Sequence, residues 1–379
     1  MRVAVIHNLT QGGAHRRLRE QVAGFACQSV EFCLGSATPI GSDARRIDFA
    51  PTTPARPHAL RPPFRYLDSV LLASAWRRLA EAVARCGADV AFVNPCQFLQ
   101  APAALIWLSI PSLYFCDEPR RVDYEFEAKQ TRRRRTAIPY APLYASERWL
   151  DRRAVASTTT LATNSRYTAG TIERAYGRQS SVVPLGVLDV FRAPGQLRPS
   201  SHLLSVGTLI PDKGHALAIE ATARAGNPWP LVIVAPRHDK VEEARLQALA
   251  AAGGVALEFK VGVSDDELGD LYRGAYALFY LARQEPFGLA SIEAQACGTP
   301  VLVAAEGGLP ETIVHGVSGW AVPRNAAAAA DKLGLLVAAP ELRQRMAAAA
   351  AAHGASHSWA RSARVVEQLL EEVVCGSRS

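Results

Sequence analysis

The sequence contains no run of about 18 consecutive apolar residues, the length that a membrane-spanning helix requires. It also does not begin with the charged segment and apolar core of a secretory signal, because Arg2 leads directly into the short apolar run 3–6, which is typical of a strand. About half of the residues are apolar, as in ordinary globular proteins. We therefore expect a cytoplasmic protein.

Cysteine pairs and metal-ligand spacings are also missing. The seven cysteines are an odd number, and no two of them form a Cys-x2-Cys pair. Free thiols in a reducing compartment are the simpler interpretation. No cluster of His, Cys, Asp and Glu has the spacing of a metal site, so we predict neither a metal nor a cofactor.

Basic residues outnumber acidic ones, 42 to 35, which gives a net charge of +7. The densest basic run spans residues 132–135. A solvated helix or loop explains such a run most simply, and the alternative is contact with an anionic membrane surface or an acidic acceptor. We expect no nucleic acid partner, because basic residues do not alternate with aromatic ones and no known reader motif occurs.

A length of 379 residues predicts two domains. Apolar strand-like runs alternate with amphipathic segments in both halves, which is typical of α/β domains. We expect helices at 14–26 and 64–85, a long loop at 36–63, and a linker in the Pro-, Gly- and Ser-containing stretch 193–201. The predicted domains are residues 1–195 and 196–356, and residues 357–379 form a last helix that belongs with the first domain.

The stretch from Tyr276 to Pro300 is the most informative part of the sequence. The apolar run 276–281 predicts a buried parallel strand, a polar turn follows, and the pattern of residues 288–297 predicts a helix. Glu285 lies in the turn and Glu293 lies inside the helix, beside its apolar face. A carboxylate in such a place needs hydrogen bonds, which either a nearby Arg or backbone amide or the hydroxyls of a ligand could supply.

These residues resemble a known family. Glu285-Pro-Phe-Gly-Leu, followed by the segment from Glu293 to Val301, is similar to the Glu-x7-Glu motif of retaining GT-B glycosyltransferases of family 4. The resemblance implies two Rossmann-like domains, each with a doubly wound parallel sheet, that face a cleft. It also implies retaining transfer of a hexose from a nucleotide diphosphate sugar to an acceptor, which could be a glycan, a lipid-linked molecule or a small molecule.

The resemblance also assigns contacts to the donor phosphates. It implies that Gly12 and Gly13 form a glycine loop on the acceptor side. The family usually has Gly-Arg followed by Lys at the start of the second domain; Lys213 matches the Lys, and Thr208 replaces the Arg. Arg237, which follows the next predicted strand, could supply the missing guanidinium, although an exposed loop arginine explains it equally well.

The glutamates and the helix between them complete the expected site. By resemblance, Glu285 holds the donor sugar and Glu293 accepts hydrogen bonds from the ribose. The helix N-terminus at Phe287, Gly288 and Leu289 faces the diphosphate, where backbone amides bind anions. We expect Lys213 and Glu285 to be the catalytic pair.

Two features leave the function open. Many relatives carry a His near Asp117, which this chain lacks, so the resemblance does not carry a sugar contact over to Asp117. The absence of Arg at position 208 keeps a second hypothesis open, a nucleotide-sugar-binding subunit with weak catalysis. A glycosyl phosphorylase or an epimerase on the same fold is a third.

Overall fold

The computed structural model describes residues 1–35, 37–52, 61–124, 141–192, 200–226 and 229–377, without the side chains of residues 61–63, 123 and 124. The basic run 132–135 and most of the expected linker lie outside these ranges. No helix in the described ranges has the length and apolar character needed to cross a bilayer.

The chain divides into two compact units, one of residues 1–184 and 359–379 and the other of residues 185–358. The division falls before the stretch from which we expected a linker, because residues ahead of it pack in the second unit. Phe191 lies with its ring edge against Tyr272, at a centroid distance of 5.6 Å. The last helix belongs to the first unit.

The first unit is built on a seven-stranded sheet of order β3-β2-β1-β4-β5-β6-β7, in which every pairing is parallel. Its strands are β1 (Arg2–Asn8), β2 (Gln28–Leu34), β3 (Arg45–Ile47), β4 (Val90–Cys96), β5 (Ser112–Phe115), β6 (Thr160–Thr163) and β7 (Ser181–Val182). The sequence did not reveal β2, because Gln, Ser and Glu interrupt its apolar residues. The expectation of a loop throughout 36–63 was wrong at β3, a short edge strand with two arginines.

Helices cover the faces of this sheet, with α2 packed into the core through Leu72, Trp76, Leu79 and Val83. The helices are α1 (Gly13–Ala23), α2 (Arg61–Ala84), α3 (Arg121–Tyr124), α4 (Ala141–Ser157) and α5 (Arg166–Tyr176), and the last helix of the chain, Trp359–Gly376, also belongs here. That last helix is tied to α1, since Gln21 donates a hydrogen bond to Ser362.

The second unit is built on a six-stranded parallel sheet of order β10-β9-β8-β11-β12-β13. Its strands are β8 (His202–Val206), β9 (Leu231–Ala235), β10 (Leu257–Val261), β11 (Ala275–Tyr280), β12 (Val301–Ala304) and β13 (Gly319–Val322). The chain runs from β8 outward to β9 and β10, then returns to β11 on the other side of β8. This reversal creates a switch point, and loops that leave neighbouring strands at such a point diverge and leave room for a ligand.

In the described part of this unit the helices are α6 (His215–Ala225), α7 (Lys240–Ala252), α8 (Asp265–Gly274), α9 (Leu289–Ala296), α10 (Ala326–Ala338) and α11 (Pro340–Ala355). The last helix of the chain, α12 (Trp359–Gly376), follows. A capping box of Ser264 and Glu267 starts α8. The structure has two parallel-sheet α/β units, which confirms the expected class of fold.

Candidate functional site

Three loops meet at the carboxyl edge of the second sheet, and backbone hydrogen bonds join the second of them to each of the other two. Loop 207–214 follows β8 and loop 281–288 follows β11. The amide of Arg283 donates to the carbonyl of Asp212 at 2.7 Å. Gly214 has φ +77° and lies so close to the Leu281 carbonyl that any Cβ would collide with it. The sequence therefore needs glycine here to bring the two loops together.

The third loop, 305–308, follows β12 and packs against the second. The amide of Gly308 donates to the Glu285 carbonyl at 2.7 Å. A Cβ on Gly307 or Gly308 would collide with the backbone of residues 284–286. The glycine pair thus supports the loop that carries Glu285, and the Gly308 amide is engaged inside the protein.

Lys213 and Glu285 form an ion pair across the first two loops. The ammonium Nζ of Lys213 lies 2.7 Å from Oε2 of Glu285, and the hydroxyl of Tyr280 donates to Oε1 at 3.1 Å. The stem of Lys213 crosses Gly207, within 3.4 Å of where a Cβ would stand. Both side chains are largely buried but reach solvent, with relative exposures of 21% and 16%. Burial, with the nearby Glu285 charge, raises the pKa of Tyr280 well above its usual value, so its hydroxyl keeps its proton.

The N-terminus of α9 lies next to this pair in sequence. Gly288 is its N-cap with φ 110°, and no side chain caps the helix. Amides in the first turn of a helix, together with the helix dipole, favour an anion. Gln284 has φ 44°, a conformation that costs a non-glycine residue energy and that clusters at functional sites.

Glu293 occupies a different environment from Glu285. It is 4% exposed, and its Oε2 accepts a hydrogen bond from the hydroxyl of Tyr272 at 3.1 Å. Burial and the Glu293 charge raise the pKa of Tyr272 well above 10, which keeps this donor protonated. A tyrosine hydroxyl therefore satisfies Glu293 in part, a partner other than the Arg or backbone amide that we considered.

Thr208 and Arg237 are both exposed, at the ends of the neighbouring strands β8 and β9. No described residue forms a hydrogen bond or an ion pair with Arg237. The sequence did not point to His215, which begins α6 and is 1% exposed. A single histidine after a glycine carries no signal in a sequence, and only its contacts reveal what it holds.

In the first unit, Gly12 and Gly13 are exposed at the start of α1, and Gly12 is the N-cap of that helix without a side-chain cap. Asp117, which follows β5, is bound by the buried Arg17 through two hydrogen bonds of 3.0 and 2.9 Å. The guanidinium of Arg17 also lies 3.7 Å from the centre of the Phe115 ring. The carboxylate of Asp117 thus has a structural partner.

One group in the described ranges brings His, Glu and Cys close enough to share an ion: His7, Glu31 and Cys33. Residue spacing could not show it, because the residues come from two strands. Its hydrogen bonds are explained without an ion. His7 Nδ1 accepts from the Leu9 amide, so Nε2 carries the proton and donates to Glu31 at 2.8 Å. Glu31 also accepts from two backbone amides, those of residues 40 and 41.

Comparison with known proteins identifies the class. Residues 193–353 match the family described as glycosyl transferases group 1. This match covers most of the second unit.

Among curated relatives, the D-inositol 3-phosphate glycosyltransferase of Segniliparus rotundus is 34% identical over 234 residues, or 54% of this chain and 50% of the relative. The enzyme of the same name from Streptomyces bingchenggensis is 42% identical over 137 residues, or 35% of this chain and 30% of the relative. The chain thus spans about half or less of the length of the curated relatives that it matches.

Solved structures agree over the whole chain. Sucrose-phosphate synthase of Thermosynechococcus elongatus has a TM-score of 0.76 at 18% identity, covering 99% of this chain and 100% of that one. Anabaena HepE in complex with UDP has a TM-score of 0.76 at 14% identity, covering 98% and 100%. At these identities the likeness establishes the fold, which is GT-B.

Proposed function

We propose that this chain transfers a hexose from a nucleotide diphosphate sugar to an acceptor, with retention of the anomeric configuration. The observation that carries the proposal is the pair of Lys213 and Glu285 at 2.7 Å, together with the uncapped N-terminus of α9, into which the loop of Glu285 continues. The relatives named as glycosyltransferases and the complexes of HepE with UDP and UDP-glucose support a nucleotide diphosphate sugar as donor.

In the proposed mechanism the main task is to stabilise charge on the leaving diphosphate. The Lys213 ammonium binds that charge, and the amides at Phe287, Gly288 and Leu289 bind it from the helix N-terminus. Glu285, which the Tyr280 hydroxyl orients, binds hydroxyls of the transferred sugar. The diphosphate takes the proton of the attacking acceptor hydroxyl as the glycosidic bond breaks, so the enzyme needs neither a covalent nucleophile nor a metal.

Two further residues bind the nucleoside and the diphosphate of the donor. Glu293 accepts from the ribose hydroxyls, and the Tyr272 hydroxyl orients its carboxylate. Arg237 supplies the guanidinium that a threonine at position 208 lacks. Arg237 is available for this contact because it is exposed at the end of β9 and no described residue pairs with it.

We assign the acceptor to the first unit, with the glycine loop of Gly12 and Gly13 contributing amides. The net charge of +7 supports peripheral contact with an anionic membrane surface from the cytoplasmic side. The acceptor itself is a hydroxyl-bearing glycan, lipid-linked molecule or small molecule.

The test begins with native mass spectrometry of the purified protein to identify a bound nucleotide. A panel of nucleotide sugars with candidate acceptors then follows, with the anomeric configuration of the product read by NMR. Transfer with retention supports the proposal. Tight nucleotide binding without turnover would instead support a binding subunit, which the loss of Arg at position 208 motivates. Turnover that requires inorganic phosphate, or that occurs without an acceptor, would indicate a phosphorylase or an epimerase.

A further inference from the structure

His215 links the interior of the second sheet to the loop that carries Lys213. Its Nδ1 lies 2.8 Å from the Ser205 hydroxyl, on β8. Its Nε2 lies 3.2 Å from the carbonyl oxygen of Thr208, in the loop that follows β8. Ser205 and His215 are each 1% exposed, so solvent does not compete for these contacts.

The contacts fix the protonation of the ring. A carbonyl oxygen can only accept, so Nε2 carries the proton and donates it to Thr208. Nδ1 then accepts from the Ser205 hydroxyl. Burial lowers the pKa of His215 to about 4, and the nearby Lys213 charge acts in the same direction. The ring is therefore neutral near pH 7 and holds one orientation.

This orientation also sets the direction of the next amide. A trans peptide is planar, and its carbonyl and N–H point in opposite directions. The Thr208 carbonyl faces the buried ring and also accepts from the Ile210 amide at 2.8 Å, so the N–H of Leu209 points away from the ring. Within the described ranges, no residue accepts a hydrogen bond from the Leu209 amide. The peptide lies one residue beyond Gly207, which the stem of Lys213 crosses.

We propose that His215 is a positioning residue that turns the Thr208–Leu209 peptide so that the Leu209 amide binds the donor diphosphate beside Lys213. The inference rests on the proposed function. An amide held in this way offers a fixed donor at low entropic cost, as in other backbone anion sites. It supplies, in part, the phosphate contact that Thr208 cannot make with its side chain.

The direct test is a titration of wild-type protein, labelled with 15N-leucine, with UDP, GDP and ADP, and with the matching nucleosides. The Leu209 resonance is assigned by its loss in Leu209→Ile. We expect the tightest-binding nucleoside diphosphate to move the Leu209 amide resonance downfield, and its nucleoside to leave that resonance in place. An unmoved Leu209 resonance at saturation with diphosphate overturns the inference. Protein that binds none of the three diphosphates overturns the proposed function itself.

Variants of the ring then test its role. His215→Phe should weaken binding of the nucleoside diphosphate about tenfold or more and leave nucleoside binding unchanged. His215→Gln places an amide donor near the position of Nε2 and should recover part of the loss, whereas His215→Asn places its amide near Nδ1 and should not. Thermal unfolding confirms that each variant is folded, and Ser205→Ala, which keeps the ring, gives a milder loss of the same kind if the others unfold.

A double variant separates two ways in which His215 could act. If His215 orients the amide, His215→Phe should still weaken diphosphate binding in a Lys213→Ala background, because the amide contact remains when the ammonium is removed. A cost that disappears in that background would mean that His215 acts through Lys213, and this would overturn the assignment of the Leu209 amide.

Discussion

Lys213 and Glu285 come from loops that follow two adjacent strands, and their charged groups lie 2.7 Å apart at the carboxyl edge of the second sheet. The cation that we assign to the diphosphate therefore has a carboxylate partner within the protein. In the proposed mechanism the diphosphate meets the ammonium and the donor sugar meets the carboxylate of this pair. The contact between the two side chains would then link the binding of phosphate to the placement of sugar.

Arg237 is the first residue to test, because it is exposed and no described residue pairs with it. We expect Arg237→Ala to weaken binding of a nucleoside diphosphate by about 1.5–3 kcal/mol, the range for a hydrogen bond to a charged group, and to leave nucleoside binding nearly unchanged. Isothermal titration of both ligands measures the difference. Lys240→Ala, which removes another exposed cation three residues away, is the matched control. Equal losses for diphosphate and nucleoside would count against a phosphate contact.

The buried pair of Tyr272 and Glu293 gives a prediction about stability and binding together. Tyr272→Phe removes a donor from a buried carboxylate, and we expect a loss of about 1.5–3 kcal/mol in the free energy of unfolding. Nucleoside affinity should fall as well, because Glu293 loses the hydroxyl that orients it toward the ribose.

Tyr276→Phe is the control for this change, since the Tyr276 hydroxyl donates to a neutral carbonyl, that of Leu336, at 2.8 Å. It should cost only about 0.5–1.5 kcal/mol and leave nucleoside affinity unchanged. Chemical denaturation and titration of both variants provide the comparison. If Tyr272→Phe binds nucleoside as tightly as wild type, the assignment of Glu293 to the ribose is wrong.

The sequence predicted the strand, loop and helix around Glu285 because an apolar run, a polar turn and a glycine after the helix all agree there. It also predicts strands at 2–8 and 231–235, which are the bounds of β1 and β9. It missed β2, whose polar residues hide the strand. On the predicted helix 64–85, the residues available for burial are Leu67, Val70, Leu71, Trp76, Leu79 and Val83. The last three are buried, whereas Val70 is 66% exposed.

The contacts of the site were less predictable than its position. Sequence spacing placed Glu285 at a strand end, yet its bonds to Lys213 and Tyr280 depend on how three loops pack. His215 contacts residues ten and seven positions earlier, a pattern that follows no secondary-structure period. Likewise, His7 and Glu31 meet only because β1 and β2 are neighbours in the sheet.

The lowered pKa of His215 predicts a dependence of stability on pH. Burial lowers it from 6.5 to about 4, while Glu242 opposes this shift weakly. Between pH 4 and pH 6.5 the unfolded chain binds a proton at residue 215 that the folded chain excludes. The stability that the neutral ring contributes is therefore complete above pH 6.5 and is lost as the pH falls toward 4. We expect His215→Phe to show a smaller drop in unfolding free energy between pH 7.5 and pH 5 than wild type. An identical drop in both proteins would show that His215 does not titrate in this way.

Turnover should not need a divalent metal, because Lys213 and the N-terminus of α9 are placed to neutralise the diphosphate. Rates of sugar transfer should be unchanged in EDTA once the donor has been identified. Activity that EDTA abolishes and added Mg²⁺ or Mn²⁺ restores would contradict this prediction.

The most direct test of the account compares Glu285→Gln with Lys213→Ala in two assays, nucleoside diphosphate affinity by titration and turnover of the intact donor. Lys213→Ala should weaken affinity about tenfold or more, since it removes a charged contact to the diphosphate. Glu285→Gln should keep affinity near that of wild type and lower kcat, because its sugar contact strengthens only as the glycosidic bond opens. If Glu285→Gln instead lost as much nucleotide affinity as Lys213→Ala and kept its turnover, the proposed division between phosphate and sugar would be wrong.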